Sequence, residues 1–123
     1  MILITAASEV AALRVGLREL AVASEGKARR TWAVLGPVPG ATREELMDLG
    51  RFLVRLDLGV LVVVGEAGPV HAGAVLEGSW GEESRHVDDE QAALTLLRAG
   101  LQDDDVVLLS GVPAVAAALG GVA

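Results

Sequence analysis

The chain has 123 residues, 17 acidic and 10 basic, for a formal charge of −7, and 52% of it is apolar. That size fits one domain that buries roughly two thirds of its unfolded surface, and the apolar fraction excludes a disordered chain. The absence of cysteine excludes disulfides, thiolate metal sites and a cysteine nucleophile, and the acidic balance argues against nucleic acid, whose phosphates require a clustered basic face.

The only basic cluster is Lys27, Arg29 and Arg30, which reads as a solvated loop. The longest continuous aliphatic stretch, 60–64, has the length of a strand and falls far short of the ~18 residues of a membrane span. The start, Met1-Ile2-Leu3-Ile4, has no positive n-region, and the first basic residue is Arg14, so a cytoplasmic chain with no membrane partner is expected.

Along the chain, apolar runs alternate with segments of helical period. Residues 2–4 form a short β-branched run. Val10, Leu13, Leu17 and Leu20 then recur at helical spacing and predict an amphipathic helix. Residues 31–35 read as a second strand ending at Gly36, with Trp32 in the core, and Pro37-Val38-Pro39-Gly40 can continue neither strand nor helix. Thr42 stands three residues before Glu45, the capping-box spacing, and opens a helix whose stripe is Leu46, Leu49, Leu53 and Leu56, stopped by Gly59.

Residues 60–64 are apolar on both faces, as expected of a central parallel strand covered by helices on both sides. A short helix over 67–76 is weakened by Gly68, Pro69 and Gly73. A polar loop with Trp80 covers 77–84, and a short edge strand is predicted over 85–87. Asp88 and Gln91 repeat the capping-box spacing before Leu94, Leu97 and Leu101. Asp103-Asp104-Asp105 reads as a solvated turn before a last strand over 106–109, and Gly111-Val112-Pro113 opens a final alanine-rich helix.

This alternation predicts a three-layer α/β/α sandwich on a mostly parallel five-stranded sheet, Rossmann-like, with any ligand site at the carboxyl ends of the strands. The candidate binding residues there are Gly36, Gly65, Glu66, Ser110 and Gly111. Glu66 ends the strand expected to be central, where an acid could meet a substrate amine or a cation. No catalytic residue and no metal ligand set is predicted. The phosphate-loop pattern, the G-x-G-x-x-G turn and the G-x-S-x-G elbow are all absent, and His71 and His86, the only histidines, lack the spacing that places two nitrogens on one metal.

Arg30-Thr31-Trp32-Ala33-Val34-Leu35-Gly36, the helix ending at Leu49-Gly50, Leu58-Gly59 with Val60, Val87-Asp88-Asp89, and the run from Asp105 to Ser110-Gly111 follow one another in an order and spacing that resembles the C-terminal domain of the Mur ligases. The closest likeness is to the type that adds D-alanyl-D-alanine to UDP-N-acetylmuramoyl tripeptide in peptidoglycan precursor synthesis. The resemblance covers nearly the whole chain, 1–123, as one such domain. It implies a Rossmann-like domain that closes over a central ATPase domain and brings the incoming amine to an acyl-phosphate. ATP and magnesium are then implied for a complete ligase, none of them bound by this chain alone, and the partners would be the central and N-terminal ligase domains.

Three loops depart from the family pattern. Thr5-Ala6-Ala7-Ser8 stands where the family has Tyr-Asn-Ala-Asn-Pro. Pro37-Val38-Pro39-Gly40 replaces an acidic Met-Leu-Glu-Leu-Gly run, with Leu46 where a helix histidine is expected. Ser110-Gly111-Val112-Pro113 replaces Lys-Gly-Ser-Arg and loses both cations. The alternative reading is therefore a free-standing, non-catalytic interaction or assembly module that reuses the fold, with a homo-oligomer or another protein as partner.

Overall fold

Residues 1–24, 30–78 and 83–120 are described by a computed structural model. The short apolar runs become strands β1 (Ile2–Thr5), β2 (Thr31–Leu35), β3 (Val60–Val64), β4 (Ser84–Val87) and β5 (Val106–Ser110). Between and after them lie helices α1 (Val10–Ser24), α2 (Arg43–Arg55), α3 (Gly68–Leu76), α4 (Glu90–Gly100) and α5 (Pro113–Gly120), with a 3-10 turn over Gly65–Ala67. All strand pairs are parallel, in the order β1-β5-β2-β3-β4. The three-layer, Rossmann-like α/β class expected from the sequence is the fold observed.

The period of two along each strand sorts side chains into two cores. Ala33, Leu35, Leu61, Val63, Val106 and Leu108 pack with Leu13, Leu17, Leu49, Leu53 and Val70 of α1, α2 and α3. Trp32, Val34, Val62, Val64, Val107 and Leu109 pack on the opposite face with Ala93, Leu94, Leu97 and Val115 of α4 and α5. The division follows from crossover handedness. The chain steps one way across the sheet from β1 to β4 and back from β4 to β5, and connections of one hand must then lie on opposite faces. β3 is an interior strand, as its apolar sequence requires, but β2 takes the middle place.

Local signals set most element ends. Glu45 N–H donates to Thr42 Oγ1 at 3.1 Å and Thr42 N–H to Glu45 Oε1 at 2.9 Å, the capping box predicted for α2. Its other end differs from expectation. The helix stops at Arg55, and Asp57, at φ 59°, takes the left-handed position usually given to glycine, with its N–H donating to Val54 O. Gly59 lies beyond, and its N–H donates to Thr31 Oγ1.

The cap of α4 is shifted by one residue: Asp89, not Asp88, accepts from Ala92 N at 2.8 Å. Alanine at that third position cannot answer with a side chain, so no reciprocal box forms. β4 begins one residue earlier than predicted, at Ser84, which is buried. The loop reading for Trp80 lies outside the described residues.

Asp103 and Asp104 form the exposed turn expected of the acidic run, but Asp105 departs from that reading. It is 3% exposed and accepts from Trp32 Nε1 at 2.9 Å and Gln102 N at 3.0 Å, with Arg30 at 3.3 Å. A buried indole N–H needs a partner, and this carboxylate supplies it. Arg30 also lies 4.8 Å over the Trp32 ring and donates to Gly100 O, so it serves the domain's own packing. Lys27 and Arg29 lie outside the described residues.

Helix α3 forms despite its glycines because it uses them. A Cβ on Gly73 would lie 1.9 Å from Met47 O, and one on Gly50 would lie 2.0 Å from Val70 O. The backbones of α2 and α3 therefore touch where any side chain would hold them apart.

Candidate functional site

β5 lies between β1 and β2, yet the chain leaves β1 and β2 toward one helix layer and β5 toward the other. Diverging connections open a crevice at the carboxyl ends of these strands, where ligands of open α/β sheets bind. Three of the five predicted residues, Gly36, Ser110 and Gly111, meet there. Gly36 N–H donates to Ser110 O at 2.7 Å, and a Cβ on Gly36 would sit 2.0 Å from Gly111 O. Gly111, at φ 68°, turns the chain from β5 into α5 in a conformation that favours glycine.

The same loops are fastened to one another on the other side. Ser8 Oγ donates to Pro37 O, Ala6 N–H to Leu109 O at 3.1 Å, and Ser110 Oγ to Ala7 O at 3.3 Å. These bonds occupy backbone carbonyls and engage the hydroxyls of Ser8 and Ser110, the latter a predicted binding residue. A cavity of about 270 Å³ remains beside them, lined by Thr5, Ala6, Ser110, Gly111, Pro113 and Ala116, among others.

Glu66 belongs to a second depression of about 300 Å³, where it faces the loop of Pro37, Val38, Pro39 and Gly40 and the side chain of Leu46. It is exposed, in the 3-10 turn after β3. Gly65 is placed differently. Its φ is 60° and its carbonyl is bonded to His86 Nε2 at 2.8 Å, toward the β4 edge.

Electrostatics decides which ligand groups these depressions suit. The N-terminus of α5 points at the crevice, as a helix terminus that attracts anions. Glu90, from the first turn of α4, already fills that role: its Oε2 accepts from Val115 N at 2.9 Å. Among the described residues lining the two cavities there is no lysine, arginine or histidine, and Glu66 is the one carboxylate. That donor set does not fit the phosphates of a nucleotide, nor does a single carboxylate fit magnesium. Among the described residues, no group of three or more His, Asp or Glu side chains converges.

Sequence reasoning missed Glu90, because its partner is a backbone N–H supplied by a helix 25 positions later. It also missed that His71 and His86 are neighbours, their ring centroids 6.3 Å apart. The available signal was indirect: Ser84 and His86 alternate on one face of β4 while His71 sits one turn from Gly68 on α3.

No family model matches the chain. It is 43% identical over 113 residues to the UDP-N-acetylmuramoyl-tripeptide–D-alanyl-D-alanine ligase of Mycobacterium leprae, a match covering 79% of this chain. It is 42% identical over 130 residues to the ligases of the same name from Mycobacterium bovis and Mycobacterium tuberculosis, covering 90% of it. The chain spans about a quarter of the length of these curated relatives, 22–25%. No described helix is long and apolar enough to cross a membrane. Over the length of one domain, the chain is thus a homologue of the D-alanyl-D-alanine-adding Mur ligases, in keeping with its resemblance to their C-terminal domain.

Proposed function

We propose that this chain, residues 1–123 taken as one domain, acts as the substrate-closing C-terminal domain of an ATP-dependent Mur-type ligase of peptidoglycan precursor synthesis, in the cytoplasm. The observation that carries the reading is identity of 41–43% to ligases of that name over most of the chain. ATP and magnesium would be held by the central domain, and that domain together with the N-terminal one would be the partners. Gly36, Glu66, Ser110 and Gly111 would rim the face that closes on the substrate, with Gly65 setting the turn that presents Glu66. With no cationic side chain and one carboxylate among the described residues, this face suits the amine end of a dipeptide, with Glu66 as its counter-ion, better than a nucleotide.

The test is an NMR titration of the full chain with D-alanyl-D-alanine to millimolar concentration, with L-alanyl-L-alanine as control. Shifts of the Gly36, Gly40, Glu66 and Gly111 amides that the control does not produce are expected. Unmoved amides, or equal shifts from both dipeptides, refute the assignment.

One observation favours the second reading, a non-catalytic assembly module: the loops at the crevice satisfy one another through Ser8, Gly36 and Ser110, and Glu90 fills the α5 terminus. That reading expects an oligomer or a stable protein complex, measured by light scattering on protein purified at native level.

A further inference from the structure

α3 lies over the open edge of the sheet formed by β4. Ser84 and His86 point into the α3 layer, because their register partners Leu61 and Val63 belong to that core. Gly68 makes room for the imidazole of His86, since a Cβ there would meet His86 Cε1 at 2.8 Å. His71 follows Gly68 by one turn on the same helix face. The two rings are thereby brought to 6.3 Å between centroids, tilted by 35°.

Each ring has one nitrogen anchored. His86 Nε2 lies 2.8 Å from Gly65 O. A carbonyl can only accept, so the proton is on Nε2 and the Nδ1 lone pair is available. His71 Nδ1 is 2.6 Å from Ser84 Oγ, which leaves Nε2. Among the described residues, neither His71 Nε2 nor His86 Nδ1 has a hydrogen-bond partner. Metal-binding histidines typically have this arrangement, one nitrogen fixed by a carbonyl or other polar group and the other turned to the ion.

From this pairing we infer that His71 and His86 form a two-imidazole site for a divalent transition-metal ion of the zinc, nickel or copper class. With metal–nitrogen bonds of about 2.0–2.1 Å, two imidazoles on one ion place their centroids roughly 5 Å apart at a tetrahedral angle and about 6.5 Å apart when opposed. The observed 6.3 Å lies at the opposed end of that range, the trans arrangement of a square-planar nickel or copper ion, and a tetrahedral zinc would draw the rings in by about 1 Å. Nitrogen donors select this class over calcium and magnesium, which take oxygen. His86 is exposed and His71 half-buried, so water completes the coordination. Burial, and then the charge of His86, holds the His71 pKa below its ordinary value, which favours the neutral, ligating form. The bound ion would clamp α3 to the β4 edge.

The experiment uses the full chain, free of any histidine tag and stripped with EDTA, titrated with Zn²⁺ and with Ni²⁺ by calorimetry. One equivalent should bind, and His71→Gln and His86→Gln should each weaken binding roughly tenfold or more. The double variant should lose little beyond either single one, because both rings hold the same ion. In the unsubstituted chain, where folding is not in question, the ring proton signals of both histidines should respond at the same stoichiometry. Absence of binding at about 1 mM metal, a response from one ring only, or losses that simply add in the double variant would overturn the site.

Discussion

Replacing Gly73 by alanine tests whether the contact of α2 and α3 is built on missing side chains. The new Cβ would lie 1.9 Å from Met47 O, 2.7 Å from Met47 C and 2.8 Å from Met47 Cα, against ordinary contacts that begin near 3.4 Å. The obstacle is backbone, so no rotamer change relieves it, and the helices must part by about 1.5 Å. Overpacking of this kind costs about 3 kcal/mol, and alanine's better helix propensity returns about 1 kcal/mol, leaving a net loss of about 2 kcal/mol. For a domain of this size that lowers the Tm by roughly 6–10 °C. Thermal melts followed by circular dichroism, with urea titrations to confirm an unchanged m-value, give the number. The double variant Gly50→Ala/Gly73→Ala should cost less than the sum of its singles, because helices parted by one methyl accommodate the next. A Gly73→Ala protein that melts at or above the unsubstituted chain would refute the account of this interface.

Two further outcomes follow from buried and half-buried polar groups. Asp105→Ala leaves the Trp32 indole N–H and the Gln102 amide without their acceptor, and should cost about 3 kcal/mol in urea unfolding while shifting the tryptophan fluorescence. His71, its pKa held below 6.5 by burial and by His86, takes up a proton more readily in the unfolded chain. Its contribution to stability is therefore complete above pH 6.5 and falls as the pH drops through the folded value. A His71→Gln variant should lose that part of the pH dependence between neutral and mildly acidic pH.

The strands and helices were legible because each rests on a short-range signal: the aliphatic runs of β2, β3 and β5, the leucine stripes of α1, α2 and α4, the Thr42 box. What misled sequence reading was long-range. Gly73 looks like a helix breaker until Met47 is seen against it, and Asp105 looks solvated until Trp32 is placed above it. Asp88 and Asp89 both suit an N-cap, and only the path of the chain out of β4 decides between them. The site followed the same division. The crevice at the carboxyl ends of the strands, where the candidate site is placed, was readable from the alternation alone, since parallel strands and their helices orient every loop of that kind to one side. That Ser8 and Gly36 spend their hydrogen bonds on neighbouring loops, and that Glu90 sits at the α5 terminus, depends on a strand order that no local pattern encodes.

The place of β5 has a consequence for how the molecule comes into being. Ile2 of β1 pairs with Val106, and β2 touches the same strand at Thr31, so β1 is joined to the rest of the sheet only through β5. β1 leaves the ribosome before the other four strands, and β5, its partner in the sheet, leaves last of the five. During synthesis β2, β3 and β4 can zip together with α2 and α3, while β1 and α1 wait on a long, entropically costly closure. Until β5 slides into the gap, the flank of β2 is an unpaired edge that is apolar from Trp32 to Leu35, the kind of surface on which nascent chains aggregate. The vulnerable moment for this domain is therefore the interval between the emergence of β2 and that of residue 110, and chaperone dependence of its folding should be concentrated there.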